Sequence, residues 1–263
     1  MRIKANNRQK STILITGATG FIGRHIVRHL YNQGFKVKAL ARKQTNLFND
    51  SKVEIVIGDM KDYSSLLYAT NKVDGVIHLA AAKSDEQDSN ITNIEGAKNL
   101  VKACQENKVK YIINISTMST KISQKGLYAK TKKSADEIFS KSKIRIITLY
   151  PSIVYGDSHS GVFGSLVKFS RFPITPIIGS GQVKFRPIYI QDFAKTIQVA
   201  IEKINVLKES YDIGGKEEIS LNNLVRKTAP LVGNKRIRIF HIPTGVGMFV
   251  AKILSLFMSK PPI

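Results

Sequence analysis

One eight-residue stretch constrains this chain more than any other: Thr16-Gly17-Ala18-Thr19-Gly20-Phe21-Ile22-Gly23. The apolar run Ile13-Leu14-Ile15 precedes it, and Ile22, Ile26, Val27 and Leu30 follow at helical spacing. The pattern is a strand–turn–helix junction. Of its three glycines, one allows the tight turn, one lets a bound group approach the backbone, and one lets the helix pack closely on the strand. N–H groups at the start of the helix, at the positive end of its dipole, suit the phosphates of a dinucleotide. The spacing is G-x-x-G-x-x-G rather than G-x-G-x-x-G, so the flanking strand and helix carry as much weight as the glycines.

The first half of the chain repeats the alternation. Strands are expected at 11–16, 36–41, 53–57, 75–79, 111–116 and 145–150, with helices at 20–33, 64–70, 90–107 and 128–140. Short β-branched runs alternating with helices predict an α/β fold with a parallel sheet covered on both faces. Beyond Pro151 the rhythm breaks. Residues 156–181 are rich in Gly, Ser and Pro and read as loops around one helix, 162–172, followed by helices at 191–203 and 220–231, the last with Ser220 as N-cap. The predicted organisation is a dinucleotide-binding domain over 1–155 and a short, interleaved second lobe over 156–263.

The 263 residues carry 41 Lys and Arg against 19 Asp and Glu, a net charge of +22. The cations are dispersed and no nucleic-acid module is readable, so nucleic acid is not an expected partner. Two readings stay open: a basic solvated surface, and contact with an anionic membrane. The apolar tail 243–260 is too short to span a bilayer as one helix. It is expected to pack on its own domain or a second subunit, or to lie in a membrane interface. The basic, polar start (Met1 to Lys10) has no apolar stretch behind it, so no signal peptide is expected. A cytoplasmic protein, peripheral at most at the inner face of the membrane, is the default. The single cysteine, Cys104, excludes a disulfide framework. His25 and His29 share a helical spacing without a third ligand, so no metal site is expected.

Tyr128 and Lys132 stand four residues apart, on one helical face. A tyrosine, with a reference pKa of about 10, is a poor base at neutral pH, and a nearby ammonium favours the phenolate. Such a pair can give and take a proton. Just upstream, Ser116-Thr117-Met118-Ser119 falls at the carboxyl edge of a parallel sheet, where ligands sit. A hydroxyl there can hydrogen-bond the substrate oxygen; Thr117 is the first choice, with Ser116 and Ser119 as rivals.

With these pieces placed, the chain resembles the extended short-chain dehydrogenase/reductase superfamily, in its NAD-dependent epimerase/dehydratase branch. The carriers, beyond the glycine turn and the Tyr/Lys pair, are Gly58-Asp59, Val76-Ile77-His78-Leu79-Ala80-Ala81, Asn93-Ile94-Glu95-Gly96 and Tyr150-Pro151-Ser152-Ile153-Val154-Tyr155-Gly156. Phe185-Arg186-Pro187 through Ala194 and Tyr211-Asp212-Ile213-Gly214-Gly215 are most similar to the group containing the nucleotide-binding accessory subunit of respiratory complex I. The resemblance implies a Rossmann-like doubly wound parallel sheet with a small C-terminal substrate lobe. It also implies roles. Gly17, Thr19, Gly20, Phe21, Ile22 and Gly23 take the pyrophosphate; Asp59 and Met60 border the adenine; Leu79, Ala80 and Ala81 line the adjoining ribose. Lys132 bridges the nicotinamide ribose, Pro151 and Ile153 flank the nicotinamide, and Asn93 either steadies the helix behind the site or sits on a helix surface.

NAD users place an acid after the second strand, whereas this chain has Leu40-Ala41-Arg42-Lys43, and a guanidinium suits a 2′-phosphate. NADP(H) is therefore expected over NAD(H), with stacking of Arg42 on the adenine of NAD as the alternative. The implied activity is oxidoreduction, epimerisation or dehydration at a secondary alcohol or ketone, with a nucleotide-sugar as the leading substrate and Arg186 as a candidate for its phosphates. The alternative is a non-catalytic NADPH-bound structural or assembly protein. Two departures bear on the substrate: extended members carry a longer lobe after the equivalent of Ile263, and the Thr117–Tyr128 gap is short for a sugar-nucleotide epimerase. Members often pair through a four-helix interface, which here would use 90–107 and 128–140 in a homodimer.

Overall fold

The structure, a computed structural model, describes residues 11–82, 86–123, 126–156 and 161–246. The expected tail lies outside them beyond residue 246. Strand β1 (Thr12–Thr16) runs into the glycine turn and helix α1 (Phe21–Asn32). Then come β2 (Lys36–Ala41), β3 (Glu54–Ile57), α2 (Tyr63–Thr70) and β4 (Gly75–His78). A short helix α3 (Glu86–Ser89) leads through a π-helical turn (Asn90–Glu95) into α4 (Gly96–Glu106). Strand β5 (Tyr111–Ile115), a 3-10 turn (Met118–Lys121), α5 (Leu127–Ser140) and β6 (Arg145–Pro151) complete the run. The chain continues with β7 (Val154–Tyr155), α6 (Gly161–Phe169), β8 (Ile174–Ile178), β9 (Lys184–Phe185) and β10 (Ile188–Tyr189). Helix α7 (Ile190–Glu202) and β11 (Ser210–Ile213) follow. The described chain ends with β12 (Ile219–Ser220), α8 (Leu221–Thr228), a 3-10 turn (Ala229–Val232) and β13 (Arg238–Ile242).

Seven strands form one parallel sheet in the order β11-β6-β5-β4-β1-β2-β3. The chain moves outward from β1 to β3, then returns to the other side of β1 at β4. The topological switch therefore lies between β1 and β4, where such sheets bind ligands at the carboxyl ends of the strands. Leu14 faces a cluster with Leu40, Val56, Leu66, Leu100, Ile112 and Phe139, under α2, α4 and α5. Its neighbours Ile13 and Ile15 alternate onto the opposite face. Helices α1 and α7 pack on each other, with the imidazole of His29 and the side-chain amide of Gln198 hydrogen-bonded at 2.8 Å. Cys104 is fully buried, and burial pushes its thiol up to about 12, so it is a core residue and not a nucleophile.

Two compact units divide the chain: Met1–Pro151 with Ile190–Ile213, and Ser152–Tyr189 with Gly214–Ile263. The interleaving takes a particular form, because α7 and β11 return to the first unit after the second has begun. β11 adds a seventh strand that the sequence pattern does not announce. The second unit is also less loop-like than expected: within 156–181, β8 pairs in parallel with β13, and beyond it β10 pairs in parallel with β7 and β9 antiparallel with β12. Ser220 caps α8, its hydroxyl accepting from the Asn223 N–H at 3.3 Å.

Candidate active site

The glycine turn sits at the switch point. Gly17 has φ +66°, and a Cβ placed on it would lie 2.8 Å from the Ala80 nitrogen and 2.9 Å from the Leu79 carbonyl carbon. A Cβ on Gly23 would lie 2.1 Å from the Gly17 oxygen. Both contacts are with backbone, which cannot rotate aside, so only glycine closes this turn against the end of β4. Gly20 is the N-cap of α1 and has no side chain to cap the first turn, which also carries no acidic residue. Thr19 and Gly20 are exposed, and Phe21 and Ile22 half-buried. A cradle kept free of Cβ atoms at a helix start fits a dinucleotide pyrophosphate.

The rest of the switch point is fixed by Thr16 and His78. The Thr16 hydroxyl accepts from the N–H groups of Leu79 and Ala80, each at 3.2 Å, and lies 2.9 Å from Nδ1 of the buried His78. With both lone pairs of the hydroxyl taken, its proton goes to Nδ1, which is therefore the acceptor and the ring neutral. Burial, and then the charge of Lys132, hold His78 well below its usual pKa. The histidine orders this junction rather than exchanging protons.

At the outer strands, Arg42 stands exposed just past β2, near enough to Lys61 for their charges to oppose. Half-buried Asp59 accepts from the Lys61 N–H at 3.0 Å, and Met60 is buried beneath Gly96. The loop after β4 is tied back by Asn93, which is buried. Its Oδ1 accepts from the Ala82 N–H at 2.8 Å, and its Nδ2 donates to the Ala82 carbonyl at 3.0 Å and to the Thr131 hydroxyl at 2.9 Å. Of the two readings of Asn93, the structure has the inward one, and the residue lies within the π-helical turn.

On α5, Tyr128 is half-buried and Lys132 is 1% exposed, its Nζ donating to the Ile115 carbonyl at 3.0 Å. Thr131 donates to the Tyr128 carbonyl at 3.1 Å, so Asn93 reaches the turn that carries the tyrosine. Burial first, and the charge of Asp136 second, push the Tyr128 phenol up to about 12. The three rival hydroxyls separate as well. Ser116 is buried and donates to Asp136 Oδ2 at 2.6 Å, which takes it out of reach of a substrate. Thr117 and Ser119 are half-buried, with their hydroxyls 3.0 Å apart.

Asp136 is the residue that sequence reasoning missed. It lies one turn beyond Lys132 and two beyond Tyr128, so helical spacing alone could have flagged it. In the second unit, the Ile153 carbonyl accepts from the Ile188 N–H at 2.9 Å, and Arg186 is exposed. Pro151 is the buried last residue of β6. Among the described residues no helix is long and apolar enough to cross a membrane.

Comparison with known proteins agrees with this geometry. Residues 13–214 match the model of the NAD dependent epimerase/dehydratase family. The chain is 24% identical over 239 residues to a ceramide reductase of Caulobacter vibrioides, covering 89% of this chain and 74% of that protein. It is 23% identical over 258 residues to the N-acetyl-α-D-glucosaminyl-diphospho-ditrans,octacis-undecaprenol 4-epimerase of Escherichia coli O157:H7, covering 90% and 76%. The solved structure of MoeE5 in complex with UDP-glucose and NAD shares the fold, with a TM-score of 0.76 at 22% identity over 90% of this chain and 86% of that one. The glycine cradle at the switch point and a family match over most of the chain lead to one conclusion: this protein belongs to the NAD-dependent epimerase/dehydratase family and is an NAD(P)-dependent enzyme of the short-chain dehydrogenase/reductase type.

Proposed function

We propose that the enzyme reduces a ketone, or epimerises a secondary alcohol by way of the ketone, in a nucleotide-sugar, with Tyr128 as the group that gives and takes the proton. One observation carries this reading. Lys132 docks α5 on the last carbonyl of β5, directly before the segment that carries the Thr117–Ser119 hydroxyl pair, and Tyr128 stands one helical turn before Lys132 on the same helix, which supports a shared site. The dinucleotide, when bound, supplies or accepts the hydride. The chain's own residues do the remainder: Thr117 orients the substrate oxygen, Tyr128 protonates or deprotonates it, and Lys132 holds the cofactor ribose.

Gly17, Thr19, Gly20, Phe21, Ile22 and Gly23 are assigned to the pyrophosphate, Asp59 and Met60 to the adenine, and Leu79, Ala80 and Ala81 to the ribose beside it. Pro151 and Ile153 are assigned to the nicotinamide, and Arg186 to a substrate phosphate. Arg42, with no acid after β2, supports NADP(H) over NAD(H). Dehydration would need a further acid or base beside the leaving group, and 116–127 contains no Asp or Glu, which supports reduction or epimerisation. The nucleotide-sugar follows the undecaprenol-linked epimerase and the UDP-glucose complex among the similar proteins.

The test is Tyr128→Phe assayed with NADPH against a panel of UDP- and dTDP-sugars. Turnover falls about 10²–10⁴-fold while NADPH binding is retained. Unchanged turnover on a substrate the wild type converts would end the role of Tyr128, and a wild type that binds NADPH but converts no member of the panel would favour a non-catalytic NADPH-bound assembly protein. Two partner proposals accompany it. A homodimer through α4 and α5 is tested by sedimentation, and contact of the basic surface with an anionic membrane by flotation on phosphatidylglycerol vesicles.

A further inference from the structure

We propose that the outward face of the β8–β13 pair, in the second unit, is a docking surface for an anionic lipid bilayer: its exposed apolar side chains enter the interface, and the cations around them meet the lipid phosphates. The proposal rests on the membrane contact named above and narrows it to one face.

The face follows from strand register. β8 and β13 run in parallel with Ile174 beside Arg238, Pro176 beside Phe240 and Ile178 beside Ile242, and residues paired in this way share one side of the sheet. Thr175 is 2% and Ile177 4% exposed, so they point inward, whereas Ile174 is 56% and Ile178 46% exposed. Phe240, on the partner strand, is 59% exposed. The inward threonine is satisfied, its hydroxyl donating to the Phe169 carbonyl at 3.1 Å. A solvated side would carry polar groups at 174, 176 and 178, and this one carries Ile, Pro and Ile. Exposed Phe172 extends the patch at the start of β8, where the Arg238 N–H donates to the Pro173 carbonyl at 2.9 Å. Apolar side chains gathered on the outside in this way mark a contact surface.

The charges select the partner. The Asn234 side-chain amide donates to the carbonyls of Ser170 and Phe172, at 3.0 and 2.7 Å, which draws Lys235 and Arg236 to the Phe172 end of the patch. Lys168 and Arg171 precede β8, and Arg238 stands on the face itself; all five cations are exposed. Residues 161–183 and 229–246, which supply the face, contain those five Lys and Arg and no Asp or Glu. Glu217 and Glu218 of the same unit lie beside Lys227 and Lys184 instead. The apolar side chains could be covered by residues 247–263 of the same chain, by a second copy, or by a bilayer. Residues 247–263 bring Lys252 and Lys260 and no acid, and a second copy seated face to face would set like charges against each other. An anionic bilayer offers apolar depth and negative charge together.

The chain has no tryptophan, so Phe240→Trp and Phe172→Trp each place a single fluorophore on the face. Tyr68→Trp, at an exposed site in the first unit, is the control. Each full-length variant is titrated with vesicles of phosphatidylcholine alone and of phosphatidylcholine mixed with phosphatidylglycerol, with and without brominated acyl chains. On the anionic vesicles the emission of Phe240→Trp and Phe172→Trp moves to the blue and is quenched by the bromines, while Tyr68→Trp does not respond and phosphatidylcholine alone moves none of them. Adding Lys235→Gln and Arg236→Gln to Phe240→Trp weakens the titration about tenfold or more. Flotation of the wild type with both face reporters silent overturns this face and leaves the broader membrane contact standing, whereas a wild type that does not float removes both. An equal response from Tyr68→Trp overturns the proposal, because the contact is then not confined to this face. A reporter already blue in buffer and unmoved by vesicles also overturns it: the face is then covered by 247–263 or, where the blue shift grows with protein concentration, by a second copy.

Discussion

Gly17→Ala separates what the glycine turn does for stability from what it does for binding. Two costs can be worked from the structure. The backbone of residue 17 has φ +66°, a left-handed conformation that costs a non-glycine residue about 1–2 kcal/mol. The new Cβ would also lie 2.8–2.9 Å from backbone atoms of Ala80 and Leu79, so the turn must move off the end of β4. Together these give about 2–4 kcal/mol. At about 2–4 °C per kcal/mol for a chain near this size, the melting temperature falls by about 4–16 °C. Gly233→Ala is the control, since residue 233 has φ +89° with nothing within 4 Å of its Cβ. It carries the conformational cost alone, about 1–2 kcal/mol. Thermal melts followed by circular dichroism, paired with NADPH titrations by fluorescence, compare the two. Gly17→Ala melts lower than Gly233→Ala and loses NADPH binding, whereas Gly233→Ala binds as wild type does. Equal melting temperatures together with intact NADPH binding in Gly17→Ala would refute the close-approach argument.

Other consequences are as specific. Arg42→Ala removes the guanidinium assigned to the 2′-phosphate, so the NADPH-over-NADH affinity ratio drops tenfold or more, the equivalent of about 1.5–3 kcal/mol, with NADH affinity unchanged; a ratio that does not move removes the case for NADP(H). His78 is held neutral with its folded pKa well below 6.5, so the unfolded chain binds an extra proton below about pH 6.5, and stability drops by about 1.4 kcal/mol per pH unit until the folded pKa is reached. Urea unfolding at pH 7 and pH 5 shows that loss in wild type and a smaller one in His78→Gln, and equal losses would contradict it. Asn93→Ala leaves the Ala82 backbone and the Thr131 hydroxyl without their partner, at about 1–3 kcal/mol, measurable as a lower melting temperature. A melt unchanged by Asn93→Ala would mean that water replaces the amide in the loop.

Some features were legible because they are local. Ile13-Leu14-Ile15 reads as a buried strand, glycines 17, 20 and 23 as a tight turn between strand and helix, and the four-residue spacing of Tyr128 and Lys132 as one helical face. Each follows from backbone geometry within a few residues, and each stands in the structure where the sequence puts it. Features that depend on distant partners were not legible. β11 (Ser210–Ile213) is too short and polar to announce itself, and becomes a strand only because β6 offers an open edge to pair with. Asn93 could equally have faced solvent, and only its distant partners Ala82 and Thr131 define its inward position.

The sequence by itself determined a parallel α/β sheet, a phosphate-cradling turn at its centre and a Tyr–Lys pair on one helix, because periodicity and glycine sterics act over a turn or two of chain. Tertiary structure alone decided which hydroxyl is spent and which carboxylate on α5 is buried against β5. Those outcomes depend on burial and on a carboxylate twenty residues from Ser116, quantities that exist only once β5, β6 and α5 have packed.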